Sequence, residues 1–186
     1  MLSVIEHGAP GAKPPLVIAH GLFGSGRNWG VIARRLAEDR LVLAPDMRNH
    51  GTSPWSDTHG YPEMAQDLAA VIDAHGGRAD VVGHSMGGKA AMVLALTHPD
   101  KVGALVVADI APVSYSHSQQ RYIDAMRSVD LTGVARRGDA VAQLARTVPE
   151  PTLQAFFTQS LDVPGRRWRL NLDTLEAEMP KILSFP

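Results

Sequence analysis

Ala79-Asp80-Val81-Val82-Gly83-His84-Ser85-Met86-Gly87-Gly88-Lys89-Ala90-Ala91-Met92 runs from a short apolar segment, through a glycine-bounded serine, into an alanine-rich segment. This is G-x-S-x-G in the order strand, tight turn, helix, the context that gives the pattern its meaning as a nucleophile elbow. A serine at the tip of such a turn adopts strained backbone angles, so its neighbours two positions away must be small. Gly83 and Gly87 meet that requirement, and Gly88 lets the helix lie close to the strand. At the start of a helix, Ser85 also faces backbone N–H groups and the positive end of the helix dipole. The plainer reading is a Gly-rich strand-to-helix turn with Ser85 as a helix cap.

Outward from this stretch, the chain alternates buried-type strands with helices. Leu16–Ala19, Leu41–Ala44 and Gly103–Asp109 are continuous apolar runs of the kind buried on both faces of a parallel sheet. Residues 2–7 suit a short edge strand. Asn28 is placed to cap a helix carrying Trp29, Ile32, Ala33 and Leu36. A second helix is expected over Tyr61–Ala74, and a third over Ser85–Thr97. This alternation predicts βαβ units, whose ligands bind at the carboxyl ends of the strands. His20, Asp46, Ser85 and Asp109 all fall at such ends. After Pro112 only amphipathic helices are expected, over 116–129, 136–147 and 152–160. The predicted division is a core, 1–112, and a helical cap, 113–186.

Composition excludes several classes. The 186 residues suit one domain with a sizeable core. A formal charge of −1 leaves no basic footprint for nucleic acid. No apolar run reaches the ~18–20 residues of a membrane span, and no secretory signal is visible, so a cytoplasmic location is the default expectation. The absence of cysteine excludes disulfides and thiolate chemistry. No histidine pair has metal-ligand spacing, so no metal is expected. Gly21, Gly24 and Gly26 lack both P-loop and dinucleotide spacing, so no cofactor is expected either.

Several motifs in order make the chain resemble the α/β-hydrolase superfamily, and within it the YbfF-like and abhydrolase-domain-containing protein 11-like esterases. They are His20-Gly21-Leu22-Phe23-Gly24-Ser25 with Asn28-Trp29, and Asp46-Met47-Arg48-Asn49-His50-Gly51 with Ser53-Pro54. The elbow and Asp109-Ile110-Ala111-Pro112-Val113 complete the set, with weaker matches through Arg167–Leu172 and Phe185-Pro186. The resemblance implies an α/β-hydrolase fold, a mostly parallel sheet with helices on both faces and a helical cap. It implies a serine hydrolase acting on short- to medium-chain acyl esters or thioesters. Ser85 is then the nucleophile and Asp109 the triad acid, with the Leu22 and Met86 N–H groups as oxyanion hole and Phe23 and His84 contacting substrate. An acid one strand later than Asp109 is the alternative.

The superfamily's general base is a histidine after the last strand. None of the eight histidines sits in a matching place, so the chain reads as lacking the last strands and the catalytic-His loop, and as nearly inactive alone. His117 is the one substitute base entertained. His20 is read as bracing its loop, while His7, His59, His75 and His98 are read as surface or helix-end residues. A sheet edge left open by missing strands implies self-association. Asp46 and Arg48 are expected to pair with each other. Lys89 is read as solvated or helix-packing. Phe23, Trp29, Met86, Phe156, Phe157 and Trp168 are candidate walls of an apolar acyl pocket. Arg166, Arg167 and Arg169 could attract an anionic acyl carrier, although a solvated face is the simpler reading. Perhydrolase, C–C hydrolase or amidase chemistry, a non-catalytic binding module, and a partner chain supplying the histidine remain open alternatives.

Overall fold

The computed structural model describes residues 1–116 and 118–186. Five strands, β1 (Val4–His7), β2 (Leu16–Ala19), β3 (Val42–Pro45), β4 (Ala79–His84) and β5 (Val102–Ala108), form one sheet in the order β1-β3-β2-β4-β5. β1 runs antiparallel at one edge, and the other pairings are parallel. The central strands β2 and β3 are buried along their whole length, as their unbroken apolar sequences require.

Alternation along β2 feeds two cores. Leu16 and Ile18 pack with Val42 and with Ala33 of α1 (Gly30–Leu36) on one face. Val17 and Ala19 point to the other face, into the main cluster with Met64 and Leu68 of α2 (Tyr61–Asp73) and Ala90 and Leu94 of α3 (Met86–Thr97). The first expected helix differs in detail. Residues 26–29 form a 3-10 turn preceded by Ser25, and Asn28 turns back to accept from the Ser25 N–H at 2.6 Å.

β5 departs from the buried-type strand its sequence suggests. It is the sheet's other edge, its residues are largely exposed or half-buried, and Val106 is 55% accessible. An apolar run signals a strand that wants cover on both faces, but not whether a neighbour supplies it.

Beyond β5 come α4 (Gln120–Arg127), α5 (Arg137–Leu144), α6 (Pro151–Gln159), α7 (Leu172–Ala177) and α8 (Met179–Leu183). Between α6 and α7 lies a small antiparallel hairpin, β6 (Leu161–Asp162) with β7 (Arg167–Trp168), where only helices were expected. Ile123, Met126, Leu144, Phe157 and Leu175 from this region join the main buried cluster, so it is welded to the sheet's helical face. No helix among the described residues is long and apolar enough to cross a membrane.

Candidate active site

The site grows from the corner between β4 and α3. Ser85 sits there at φ 51°, ψ −120°, conformational strain that only surrounding packing can hold. Two bonds fix it: its N–H donates to Ala108 O at 3.0 Å, and its carbonyl accepts from Lys89 N–H at 3.1 Å. The glycines are steric necessities. A Cβ on Gly83 would lie 2.4 Å from Gly87 O, and one on Gly87 would lie 2.4 Å from Ala19 O.

The loop after β2 closes on this corner. A Cβ on Gly21 would lie 3.3 Å from Ser85 Cβ and 3.0 Å from His84 Nδ1, which measures how closely the two chains approach. Phe23 holds φ 63°, and its N–H donates to His50 Nε2 at 3.1 Å. The Leu22 N–H donates to no described residue. Met86 N–H opens α3, where no preceding turn supplies an acceptor. After β5, Asp109 takes φ 57° and presents a carboxylate that is 90% accessible, with Oδ2 3.8 Å from His84 Nε2. Ser85, Leu22, Met86, Asp109, Phe23 and His84 all line one cavity of about 610 Å³. The expected site residues are therefore brought together at the carboxyl ends of the strands.

Comparison with known proteins follows the same outline. Residues 14–185 match the α/β-hydrolase fold family. The chain belongs to that family. It is 42% identical over 184 residues to the mouse protein named sn-1-specific diacylglycerol lipase ABHD11, covering 93% of this chain and 60% of that one. It is 39% identical over 173 residues to esterase YbfF of Escherichia coli (strain K12), covering 92% of this chain and 67% of that one. A solved structure described as a marine microorganism esterase superposes with a TM-score of 0.92 at 37% identity, over 100% of this chain and 74% of that one. The chain thus spans roughly three-fifths to three-quarters of the length of these α/β-hydrolase relatives.

The cavity walls agree in part with the sequence reading. Trp29, Phe156 and Phe157 join Phe23 and Met86 around it. Trp168 does not. Its ring is buried elsewhere, with the indole N–H donating to Met126 O at 2.9 Å. His117 lies outside the described residues.

Three corrections concern side chains that sequence spacing could not place. Arg48 does not pair with Asp46. Its Nε lies 2.6 Å from Asp67 Oδ2 on α2, while Asp46 accepts from Gly26 N–H and Thr52 N–H, both at 2.8 Å. Asp46 thus ties the 3-10 turn to the turn after β3. His59 is no surface residue: it is fully buried, with Nε2 3.2 Å from Met86 Sδ. Lys89 is 1% accessible, not solvated, and its Nζ donates to the carbonyls of Val113 (2.8 Å), Leu183 (3.2 Å) and Ser184 (2.6 Å). The Tyr61 and Tyr115 rings flank the ammonium, with centroids 5.7 and 4.9 Å away.

The buried imidazoles form a brace behind the elbow. His20, whose bracing role was expected, accepts from Met47 N–H at 2.9 Å, as His50 does from Phe23 N–H. The rings pack in series, His20 edge-on to His50 at 5.1 Å and His50 tilted against His59 at 5.4 Å between centroids. Burial lowers the pKa of all three, that of His59 to about 3, so they remain neutral and can accept backbone bonds.

Proposed function

We propose that the protein is a serine hydrolase of carboxylic esters or acyl thioesters of short to medium chain length, with Ser85 as nucleophile and Asp109 as the triad acid. The observation that carries this reading is the strained Ser85 corner sharing one cavity with Asp109 and the tightly apposed 20–24 loop. Ser85 Oγ attacks the acyl carbonyl. The negative charge that develops on the carbonyl oxygen is met by the Leu22 and Met86 N–H groups, each contributing on the order of 3 kcal/mol to transition-state stabilisation. Collapse of this intermediate breaks the bond to the alcohol or thiol, which leaves with the proton the base took from Ser85 Oγ. Water, giving a proton to the same base, then attacks the acyl-serine, and the carboxylic acid departs as the base returns that proton to Ser85 Oγ.

Both steps need a base. Of the imidazoles lining the cavity, His20 spends both ring nitrogens on backbone groups, and His84 lies toward Asp109. In this reading the base is a histidine other than these two, received by the open Asp109 carboxylate. Phe23 and the apolar walls hold the acyl chain, in a cavity within the ~300–1,000 Å³ usual for small-molecule sites. His84 borders the reacting carbonyl. Residues 113–186 act as a cap over the cavity, and the open edge of β5 favours self-association.

The names of the relatives, an esterase and a diacylglycerol lipase, support ester chemistry. Intact-mass spectrometry after exposure to a fluorophosphonate tests the reading. A single adduct that disappears in Ser85→Ala supports it. An adduct that survives Ser85→Ala, or turnover unaffected by that substitution, overturns it.

A further inference from the structure

The 26–29 turn, whose Asn28 and Trp29 line the cavity described above, also borders through Arg27 a second concavity of about 440 Å³. Its lining includes Arg27, Arg136, Arg137 and Arg169, with Asp162 the one carboxylate among them. Arg166 stands in the adjoining turn between β6 and β7, and Arg167 opens β7. Six of the chain's 18 basic residues therefore gather here, in a protein whose net charge is −1.

The guanidiniums come from separate parts of the chain: the 3-10 turn, the start of α5, and the end of β7. Like charges drawn into one concavity repel unless an anion joins them. The negative charge on hand is small and already shared. Asp162 accepts from Gly165 N–H at 3.2 Å, and lies 3.5 Å from Arg167 and 3.6 Å from Arg169, both long for ion pairs. Asp139, beyond the rim, accepts from the Ala135 and Arg136 N–H groups at 3.0 and 2.9 Å and is only 3.4 Å from the Arg136 side chain. The Arg27 carbonyl accepts from Gly30 N–H, but its side chain has no hydrogen bond or ion pair with any described residue.

One arginine is fixed in place. Arg137 donates from Nε to Thr158 O at 2.8 Å and from its terminal amine to Leu161 O at 3.2 Å. Those bonds use two of its five donors and leave three N–H groups of a rigid fork, on a residue that lines the concavity, without a described partner. A planar fork with flanking guanidiniums matches the geometry of phosphate oxygens, which arginine binds in pairs of parallel bonds.

We propose that this concavity is a binding site for a phosphate-type oxyanion, and that a diphosphate fills it. Arg137 forms the fixed floor, and Arg27, Arg136 and Arg169 close around the anion. The next residue after Arg27, Asn28, lines the larger cavity and bonds Gln159 Oε1 through Nδ2 at 2.5 Å. A molecule held here by its phosphates therefore lies one residue away from the larger cavity.

Isothermal titration calorimetry tests this without reference to catalysis, using inorganic pyrophosphate in one arm and adenosine 5′-diphosphate in the other. The expected result is one site per chain, weakened at least about tenfold by the combined Arg27→Gln/Arg136→Gln change. Neither side chain supports the fold, so an unchanged melting temperature accompanies the loss. Arg34→Gln/Arg35→Gln removes equal charge from exposed positions outside the concavity and leaves binding intact. Comparable affinity in the two arms marks a free diphosphate as the ligand, and tighter binding of the nucleotide marks a diphosphate carried on a larger molecule. Absence of heat in both arms overturns the proposal. So does binding untouched by the Arg27/Arg136 change, or weakened equally by the Arg34/Arg35 change.

Discussion

Replacing Lys89 by methionine keeps the apolar stem and deletes the ammonium that joins α3 to two distant segments. Three carbonyls lose a donor. Leu183 O retains the Tyr115 N–H at 2.9 Å, so the orphaned acceptors are Val113 O and Ser184 O. A fully buried acceptor left unsatisfied costs about 1–3 kcal/mol, but both contacts are only part-buried and Val113 is 49% accessible, so water meets part of the need and the gross loss is about 2–4 kcal/mol. Part is returned, because the ammonium itself is desolvated and burial already lowers its pKa. A net loss of about 1–3 kcal/mol remains, equivalent to a melting temperature lower by about 2–12 °C for a chain of this size. Circular dichroism melts of the wild type, Lys89→Met and Lys89→Arg measure it. Limited proteolysis should show earlier cleavage near residues 113 and 184 in Lys89→Met, since these segments lose their common anchor. A methionine variant melting within about 1 °C of the wild type would refute the reasoning, because the ammonium would then hold nothing that water cannot.

The buried histidines predict acid lability with a definite sign. Unfolded imidazoles titrate near pH 6.5, while folded His59 resists protonation until about pH 3, so stability is full above pH 6.5 and falls below it. His59 alone removes about 2 kcal/mol between pH 6.5 and 5, at ~1.4 kcal/mol per unit, and His20 and His50 act in the same direction. Urea midpoints at the two pH values check this, and equal midpoints count against it. Gly51→Ala should cost upwards of about 3 kcal/mol or prevent folding, since its Cβ would lie 2.1 Å from Asp46 Oδ2 at φ 58°. Soluble yield and urea unfolding report the outcome. In a double-mutant cycle, Arg48 should couple to Asp67 by about 0.5–3 kcal/mol and weakly to Asp46. Light scattering on a size-exclusion column should show association that rises with concentration, and a strictly monomeric profile removes the role assigned to the open edge of β5.

The elbow and the parallel strands were legible because their causes are local. Gly83 and Gly87 are small because backbone lies within 3 Å of where a Cβ would stand, Gly88 because the Ile110 side chain does, at 2.7 Å, and β2 and β3 are unbroken apolar runs because both faces are covered. What escaped the sequence depends on distant partners. Arg48 has an acid two positions away in sequence, yet it chooses Asp67 across a turn. His59 and Lys89 carry the polar chemistry of surface residues, and only tertiary contacts show that each is enclosed. The exposure of β5 follows from its place at the edge of the sheet, which its composition does not reveal. For His59 a usable signal existed in the spacing of three histidines across 20–59, although nothing local fixes where such rings meet.

The turn at 83–87 separates position from preference. Ser85 is held by glycines and by bonds to backbone atoms of Ala108 and Lys89, so its place depends on no neighbouring side chain. The two residues that flank Ser85 in that turn, His84 and Met86, both line the cavity. Substitutions at 84 and 86 can reshape what is admitted while the serine stays put. Positions 84 and 86 are therefore free to vary in side-chain size without disturbing the backbone contacts that hold Ser85.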